Sequence, residues 1–292
     1  MHPILLEGTW IGDLNSYGTL ILFGGLSLAP GMWWDRRQRD LPAELILDIY
    51  IVFVVGCFVG GRVLDIISRP SVFLAEPARI FSGQDSFVFY GSLIGVFLGF
   101  FWLAHKYRRP MYELCDLVAP WVPLGHGIAR IGCWLAGCCF GAPVLGDPAW
   151  SAHFPAGSIA HSSGEVPLHG ATTAGLFPIQ LMEVGGLWVL GLLLMTRRIR
   201  RGVETPWRMS GLYALGYGLL RLFTELFRGD HSRNHLFTLE LPRLAELLRL
   251  PADQPFLLST SQLISLGLMF WGAVMIRRSR DPARGLSSGP SS

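Results

Sequence analysis

The sequence predicts an all-α polytopic membrane protein of seven transmembrane helices, with its N-terminus outside and its C-terminus cytoplasmic. Three observations carry this expectation. The 292-residue chain is 51% hydrophobic and only 15% charged, with a positive mean hydropathy, which is too apolar for a soluble protein of this length. Its apolar residues fall into runs of about 20, the length that crosses roughly 30 Å of hydrocarbon. Its basic residues gather at the ends of alternate runs, the pattern left by retention of Lys and Arg on the cytoplasmic side.

The runs follow in order. Residues 17–35 are followed by Arg36, Arg37 and Arg39, and the second run spans 44–66. Residues 86–104 lead into Lys106, Arg108 and Arg109, and 115–140 into a segment, 141–177, that contains no Lys or Arg. Residues 178–196 precede Arg197, Arg198, Arg200 and Arg201; 209–228 leads into 229–258; and 259–276 precedes Arg277, Arg278 and Arg280. No removable signal peptide is expected before the first run. Residues 1–280 read as one seven-helix membrane domain with outer segments at about 141–177 and 229–258, and 281–292, rich in Ser, Gly and Pro, as a disordered cytoplasmic tail. In the second outer segment Leu239–Leu250 alternates Leu and Arg at helical spacing, as in a helix lying along an interface. The formal net charge of +3 reflects topology and gives no reason to expect nucleic acid. No internal repeat supports an inverted-repeat transporter.

Ionisable groups inside apolar runs are costly, so their placement is informative. Arg221, Glu225 and Arg228 stand four and three residues apart, which puts them on one helical face. Odd-numbered runs pass inward and even-numbered runs outward. Tyr17, Tyr90, Gln180, Glu183, Gln262 and Ser265 open inward runs, while Arg62, Arg130, Arg221 and Glu225 come late in outward ones. All fall toward the outer leaflet, and together they predict one polar cavity open to that half of the bilayer. Arg62, Arg130 and Arg221 outnumber Glu183 and Glu225, so an anion is expected to complete the balance. A phosphate suits the planar guanidinium fork, and an anionic phospholipid supplies one at that depth. Gly60, Gly61, Gly91, Gly132, Gly137, Gly141, Gly216 and Gly218 share the level, leaving room for a ligand or for close helix packing.

Structural readings stand beside the functional ones. Arg62 lies near a run end, where snorkelling to the headgroups explains it equally well. An exposed Arg221–Glu225 pair contributes about 0.3–0.5 kcal/mol, too little to offset burial. Cys133, Cys138 and Cys139 lack a Cys-x-x-Cys spacing and include an adjacent pair, so they read as small apolar residues or an oxidised pair, and no metal site is expected. Cys57 and Cys115 read as packing residues. His153, His161 and His169 are too irregularly spaced for a ligand set, and His231 and His235 are left unassigned. Asp116 reads as a helix N-terminal carboxylate.

In sequence order, Ser16-Tyr17-Gly18, Gly60-Gly61-Arg62 and Phe89-Tyr90-Gly91-Ser92-Leu93-Ile94-Gly95 are followed by Ala129-Arg130-Ile131-Gly132 with Gly141 and by Pro178-Ile179-Gln180-Leu181-Met182-Glu183. Gly216-Tyr217-Gly218-Leu219-Leu220-Arg221, then Glu225, Arg228 and Ser261-Gln262, complete the series. This series resembles the bacterial phosphatidylglycerol–prolipoprotein diacylglyceryl transferases across nearly the whole chain. The resemblance implies a multi-pass plasma (inner) membrane enzyme with its site toward the outer leaflet. It would transfer a diacylglyceryl group from phosphatidylglycerol to the lipobox cysteine of a prolipoprotein signal peptide, forming a thioether and releasing glycerol phosphate. The family's essential arginines fall on Arg130 and Arg221, and its signature His or Tyr on Tyr90, giving the expected catalytic set. Tyr17, Arg62, Gly91, Gly141, Gln180, Glu183, Glu225, Arg228 and Gln262 are the expected substrate-binding set. No cofactor is expected. Since the nucleophile belongs to the acceptor, none of the chain's own cysteines need be catalytic. Cys133, Cys138 and Ser92 depart from the family pattern, where many members carry Asn, an acidic residue and Gly. A paralogue with a different donor or acceptor, and a lipid- or anion-binding transporter using the same arginines, are the alternatives.

Overall fold

The computed structural model describes residues 4–9, 12–81, 89–230, 236–256 and 258–279. A paired antiparallel β1 (Ile4–Thr9) and β2 (Gly12–Asn15) precede α1 (Ser16–Leu26), α2 (Ala29–Gln38), α3 (Glu44–Ser68) and α4 (Pro70–Ala75). After a 3₁₀ turn at Pro77–Phe81 come α5 (Phe89–Lys106), α6 (Met111–Val118), α7 (Val122–Ala136) and the short α8 (Ile159–Ser162). A two-residue pair, β3 (Leu168–His169) and β4 (Thr172–Thr173), precedes α9 (Ile179–Arg201), α10 (Arg208–Glu225), α11 (Pro242–Leu247) and α12 (Thr260–Arg278). The chain is thus predominantly helical, and α3 and α9 are long and apolar enough to cross a membrane.

Two of the expected apolar runs are not single helices. The first divides between α1 and α2, where Pro30 occupies the first turn of the second helix; the fourth divides between α6 and α7, around Pro120 and Pro123. Proline lacks the N–H that continues a helix and disfavours helical geometry in the residue before it, so apolar composition persists where the helix does not. The 11 residues of α1 span only about 16 Å. The expected tail at 281–292, and His231 and His235, lie outside the described residues.

The described chain forms two compact units, residues 1–28 with 118–292, and residues 29–117. In the first, α1 packs on α7, α7 on α9, α9 on α10 and α10 on α12. Gly24 and Gly125 make the α1–α7 approach close: a β-carbon on either would run into the backbone carbonyl of the other. Small residues at such crossings are how apolar helices pack without a side-chain spacer. Segment 141–177 has its own core, with Phe154, Ala160 and Leu176 fully buried and Trp134 edge-on to Phe154 at 5.4 Å. A second core joins it to 229–258 through Ala142, Phe177, Phe227, Ala245, Leu250 and Phe256. The amphipathic stretch therefore forms only the six-residue α11, anchored by buried Ala245, with Leu247 exposed.

In the second unit α3 and α5 pack through Gly56 and Gly60 against Gly91 and Gly95. Asp65 accepts from Arg69 (2.6 Å) and forms an ion pair with Arg62 at 3.6 Å, and Asp48 accepts from Lys106 and the Tyr107 hydroxyl (2.6 Å). Buried Asp35 holds Arg39 at 3.1 Å, and Arg39 also donates to the carbonyl of Asp116 at 3.2 Å. Asp116 is not at a helix start: α6 begins at Met111, which places Asp116 in the last turn and makes Glu113 the first-turn carboxylate.

Gly24→Ala or Gly125→Ala should destabilise the first unit by about 1–3 kcal/mol, because the facing carbonyl has no rotamer to retreat into. The readout is a lowered thermal unfolding midpoint in detergent. Gly25→Ala, with open space around the added methyl, is the matched control.

Candidate active site

The first unit brings together polar groups from four helices. Arg130 comes from the middle of α7, which starts at Val122, with Pro123 in its first turn, and ends where Gly137 adopts left-handed geometry at φ 73°. Gln180 and Glu183 lie in the first turns of α9, and Arg221, Thr224 and Glu225 on one face of α10. Gln262 opens α12 in a reciprocal cap: its backbone N–H donates to Ser259 Oγ (3.2 Å), while its side-chain oxygen accepts from the Ser259 N–H (2.9 Å).

Glu183 is the junction. Its Oε2 lies 2.6 Å from Arg130 Nε and its Oε1 accepts from Arg221 Nη1 at 3.0 Å, so one carboxylate holds two guanidinium groups from two other helices. The contact to Arg130 is close but poorly aligned, an ion pair rather than a directed hydrogen bond. Arg221 Nη2 reaches Glu225 Oε2 (2.8 Å) and Ser261 Oγ (3.3 Å), and Ser259 Oγ donates to Glu225 Oε1 at 2.8 Å. Thr224 Oγ1 lies 3.3 Å from Glu183 Oε1. Glu225 is fully buried, while the side chains of Arg130 and Arg221 keep 14% and 10% of their surface. Both arginines thus keep only a small exposed fraction, in surroundings where an electrostatic contact is stronger than in water.

The terminal nitrogens of Arg130 make no hydrogen bond to protein among the described residues. A guanidinium carries five N–H donors in a fixed fork, so engagement through Nε leaves the fork's end for another acceptor. Beside it, the ring of His126 packs on Tyr217 at 5.4 Å, and Tyr217 stacks on Tyr213 at 5.8 Å. Tyr17, at the start of α1, is half-exposed and within electrostatic reach of Arg130.

A backbone junction fixes the far edge of this region. Ala142 N–H donates to the Phe227 carbonyl (2.8 Å) and Phe177 N–H to the Ala142 carbonyl (3.0 Å), tying together the ends of α7 and α10 and the start of α9. Gly141, bridged to Arg228, has no space for a β-carbon against Phe177. Arg228 pairs with Asp230 through Nε and through Nη2 (2.8 Å), and Gln254 Nε2 donates to its carbonyl at 3.0 Å. Gln180 Nε2 donates to the Cys138 carbonyl at 2.9 Å.

Of the expected site residues, Arg130, Glu183, Arg221, Glu225 and Gln262 thus share one connected network, and Tyr17, Gly141, Gln180 and Arg228 lie in the same unit. Arg62, Tyr90 and Gly91 belong to the other unit: Arg62 is paired with Asp65, Tyr90 is exposed, and Gly91 packs on Gly60. The expected surplus of arginine charge is corrected. Arg62 has Asp65 and Arg228 has Asp230, and Glu183 and Glu225 match Arg130 and Arg221 in number. Asp65 and Asp230 escaped the sequence count because they lie within three residues of their partners at run ends, where carboxylates look solvated. Thr224 and Ser259 were missed, although Ser259 had a readable signal in the Ser-x-x-Gln capping pattern, and Ser261 was legible only as part of the Ser261-Gln262 motif.

Comparison with known proteins decides the family. The profile for prolipoprotein diacylglyceryl transferase matches residues 4–278. The chain belongs to that family. A relative from Clostridium perfringens, named phosphatidylglycerol–prolipoprotein diacylglyceryl transferase 2, is 30% identical over 90% of this chain and 90% of its own length. Relatives named phosphatidylglycerol–prolipoprotein diacylglyceryl transferase are 28% identical in Clostridium tetani, over 91% of this chain and 93% of their own, and 30% identical in Aeromonas salmonicida, over 88% and 85%. Family membership and the apolar helices α3 and α9 together make this a membrane-bound, predominantly helical transferase. Within this prolipoprotein diacylglyceryl transferase, the Arg130–Glu183–Arg221 junction joins largely buried charges from three helices of the first unit.

Glu183→Gln keeps the shape of the junction but removes the charge shared by two arginines. It should cost about 3–5 kcal/mol of stability, the usual consequence of stranding a buried partner. Chemical denaturation in detergent measures it; a change below about 1 kcal/mol would mean the junction behaves as an exposed pair.

Proposed function

We propose that this protein transfers the diacylglyceryl group of phosphatidylglycerol to the thiol of a lipobox cysteine in a prolipoprotein signal peptide. The family match over residues 4–278 is the observation that carries the reading. The junction of Arg130 and Arg221 on Glu183 supplies a chemical rationale. In this reaction the acceptor sulfur forms a bond to the glyceryl C3 carbon of the donor, the C3–O bond to phosphate breaks, and the thiol proton is lost. Glycerol phosphate leaves and a thioether remains.

Negative charge develops on the departing phosphate ester. Arg130 and Arg221 stabilise it with donors already oriented by Glu183, the kind of pre-set electrostatic contribution that is large where water is sparse. The free end of the Arg130 fork takes phosphate oxygens, and Arg221 adds a second cation beside it. The same positive potential favours the thiolate of the acceptor, whose unperturbed pKa is near 8.5. We assign Glu225 a holding role, since Arg221 and Ser259 occupy its two oxygens. Tyr90 is assigned to the proton's path, and Tyr17, Arg62, Gly91, Gly141, Gln180, Arg228 and Gln262 to binding donor or acceptor.

The same reading places the protein in the bacterial inner membrane as a multi-pass protein with seven crossings and its N-terminus outside. The basic clusters after residues 35, 104, 196 and 276, set against the absence of Lys and Arg from 141–177, support that orientation. The site then faces the outer leaflet, where the donor lipid and the secreted acceptor meet.

Purified protein incubated with phosphatidylglycerol and a lipobox peptide should yield a peptide whose mass carries a thioether-linked diacylglyceryl group. Movement or binding of the lipid without that product would instead favour a transporter. Arg221→Lys keeps the charge but loses the planar fork, and should reduce peptide modification at least about tenfold. Unchanged turnover would remove Arg221 from the site.

A further inference from the structure

Three thiols outside the arginine network converge. Cys133 lies in the last turn of α7, and Cys138 and Cys139 follow the helix end; their sulfur atoms all lie within 4.8 Å of one another. The spacing of these cysteines argues against such a cluster, since adjacent residues usually point their side chains apart. The backbone supplies the reason. Gly137 and Cys139 both adopt left-handed geometry, at φ 73° and 53°, and the chain turns back over the helix end so that the Cys138 N–H donates to the Cys133 carbonyl at 3.1 Å. A residue with a side chain is held in that region at a cost of order 1–3 kcal/mol, which surrounding contacts must sustain.

Those contacts are present on both sides of the loop. Gln180 Nε2 donates to the Cys138 carbonyl (2.9 Å), Ala160 N–H to the Gly137 carbonyl (2.9 Å) and Gly229 N–H to the Phe140 carbonyl (3.2 Å), while the Phe140 side chain is buried. The three sulfurs are therefore positioned by the fold. All three cysteines are free thiols.

Soft sulfur donors select thiophilic ions, and a Zn–S distance of about 2.3 Å in tetrahedral geometry puts the ligand sulfurs about 3.8 Å apart. The observed separations need to close by about 1 Å at most to reach that value, a shift within reach of cysteine side chains. On binding, three thiols lose their protons and a dication with three thiolates carries one net negative charge. Arg130 and Arg228 lie within electrostatic reach of Cys139. Three protein ligands leave a tetrahedral ion one open position, the pattern of zinc sites that take an exogenous ligand.

We propose that Cys133, Cys138 and Cys139 form a binding site for zinc(II), with the fourth coordination position open to water or to an incoming thiol. This stands apart from the transfer reaction, and its test involves no turnover. Full-length protein in detergent, reduced and stripped of metal, is titrated with Zn²⁺ and separately with Co²⁺. One tightly held equivalent, with thiolate-to-cobalt absorption bands, is expected. Bound zinc should shield Cys133, Cys138 and Cys139 from alkylation in the unmutated protein while Cys57 and Cys115 react as before, read by peptide mass spectrometry. Cys133→Ser, Cys138→Ser or Cys139→Ser should each weaken binding by on the order of 100-fold, since even outer-shell losses cost 10- to 100-fold. Cys57→Ser should leave the stoichiometry unchanged. Less than half an equivalent bound, unaltered alkylation of the three thiols, or a disulfide among them in the protein as isolated would each overturn the proposal.

Discussion

One carboxylate carries the organisation of the first unit. Glu183 holds Arg130 and Arg221 from two other helices, and Glu225, Ser259 and Ser261 extend the same network to α12. Charges this deeply placed are tolerable only when partnered and hydrogen-bonded. The register of α7 against α9 and of α9 against α10 is therefore constrained by polar geometry as well as by apolar contact. Where both sides of a helix face oily surroundings, apolar contact alone discriminates poorly between registers, and a buried ion pair is the more specific constraint.

Close backbone approach makes that geometry attainable. Gly24 against Gly125 brings α1 onto α7, and Gly218 lies against the Ser265 carbonyl where α10 meets α12. Larger residues at those crossings would hold the helices apart and lengthen the reach required of each guanidinium. These glycines thus have a mechanical role, and Gly141 and Gly91 have it too, packed on Phe177 and Gly60, as the packing reading of the sequence favours. The helix-end turn after Gly137 shows the same economy: one left-handed glycine ends α7, directs Phe140 into a core, and draws three cysteines together.

Much of this was legible in the sequence. The helical character, the apolar stretches that became α3 and α9, and the convergence of the buried charges Arg130, Glu183, Arg221 and Glu225 follow from composition, from the cost of burying charge, and from the four-residue spacing that puts Arg221 and Glu225 on one face. The family was legible as well, because short motifs recurring in a fixed order are far more specific than any one of them. Less legible were the breaks. Hydropathy averages over a window, so Pro30 and the pair Pro120 and Pro123 left apolar runs intact while ending helices.

By itself the sequence determined which residues were too costly to bury without purpose, since that cost depends on residue type and on apolar neighbours along the chain. Only the tertiary structure decided who neutralises whom. Arg62 with Asp65, Arg228 with Asp230, and Glu183 shared between Arg130 and Arg221 are choices among carboxylates that composition cannot rank, because Coulomb energy depends on distance in space. The cysteine cluster is the same lesson in backbone terms: a left-handed φ at Cys139 is a local conformation sustained by contacts far away in the chain, and no spacing rule foresees it.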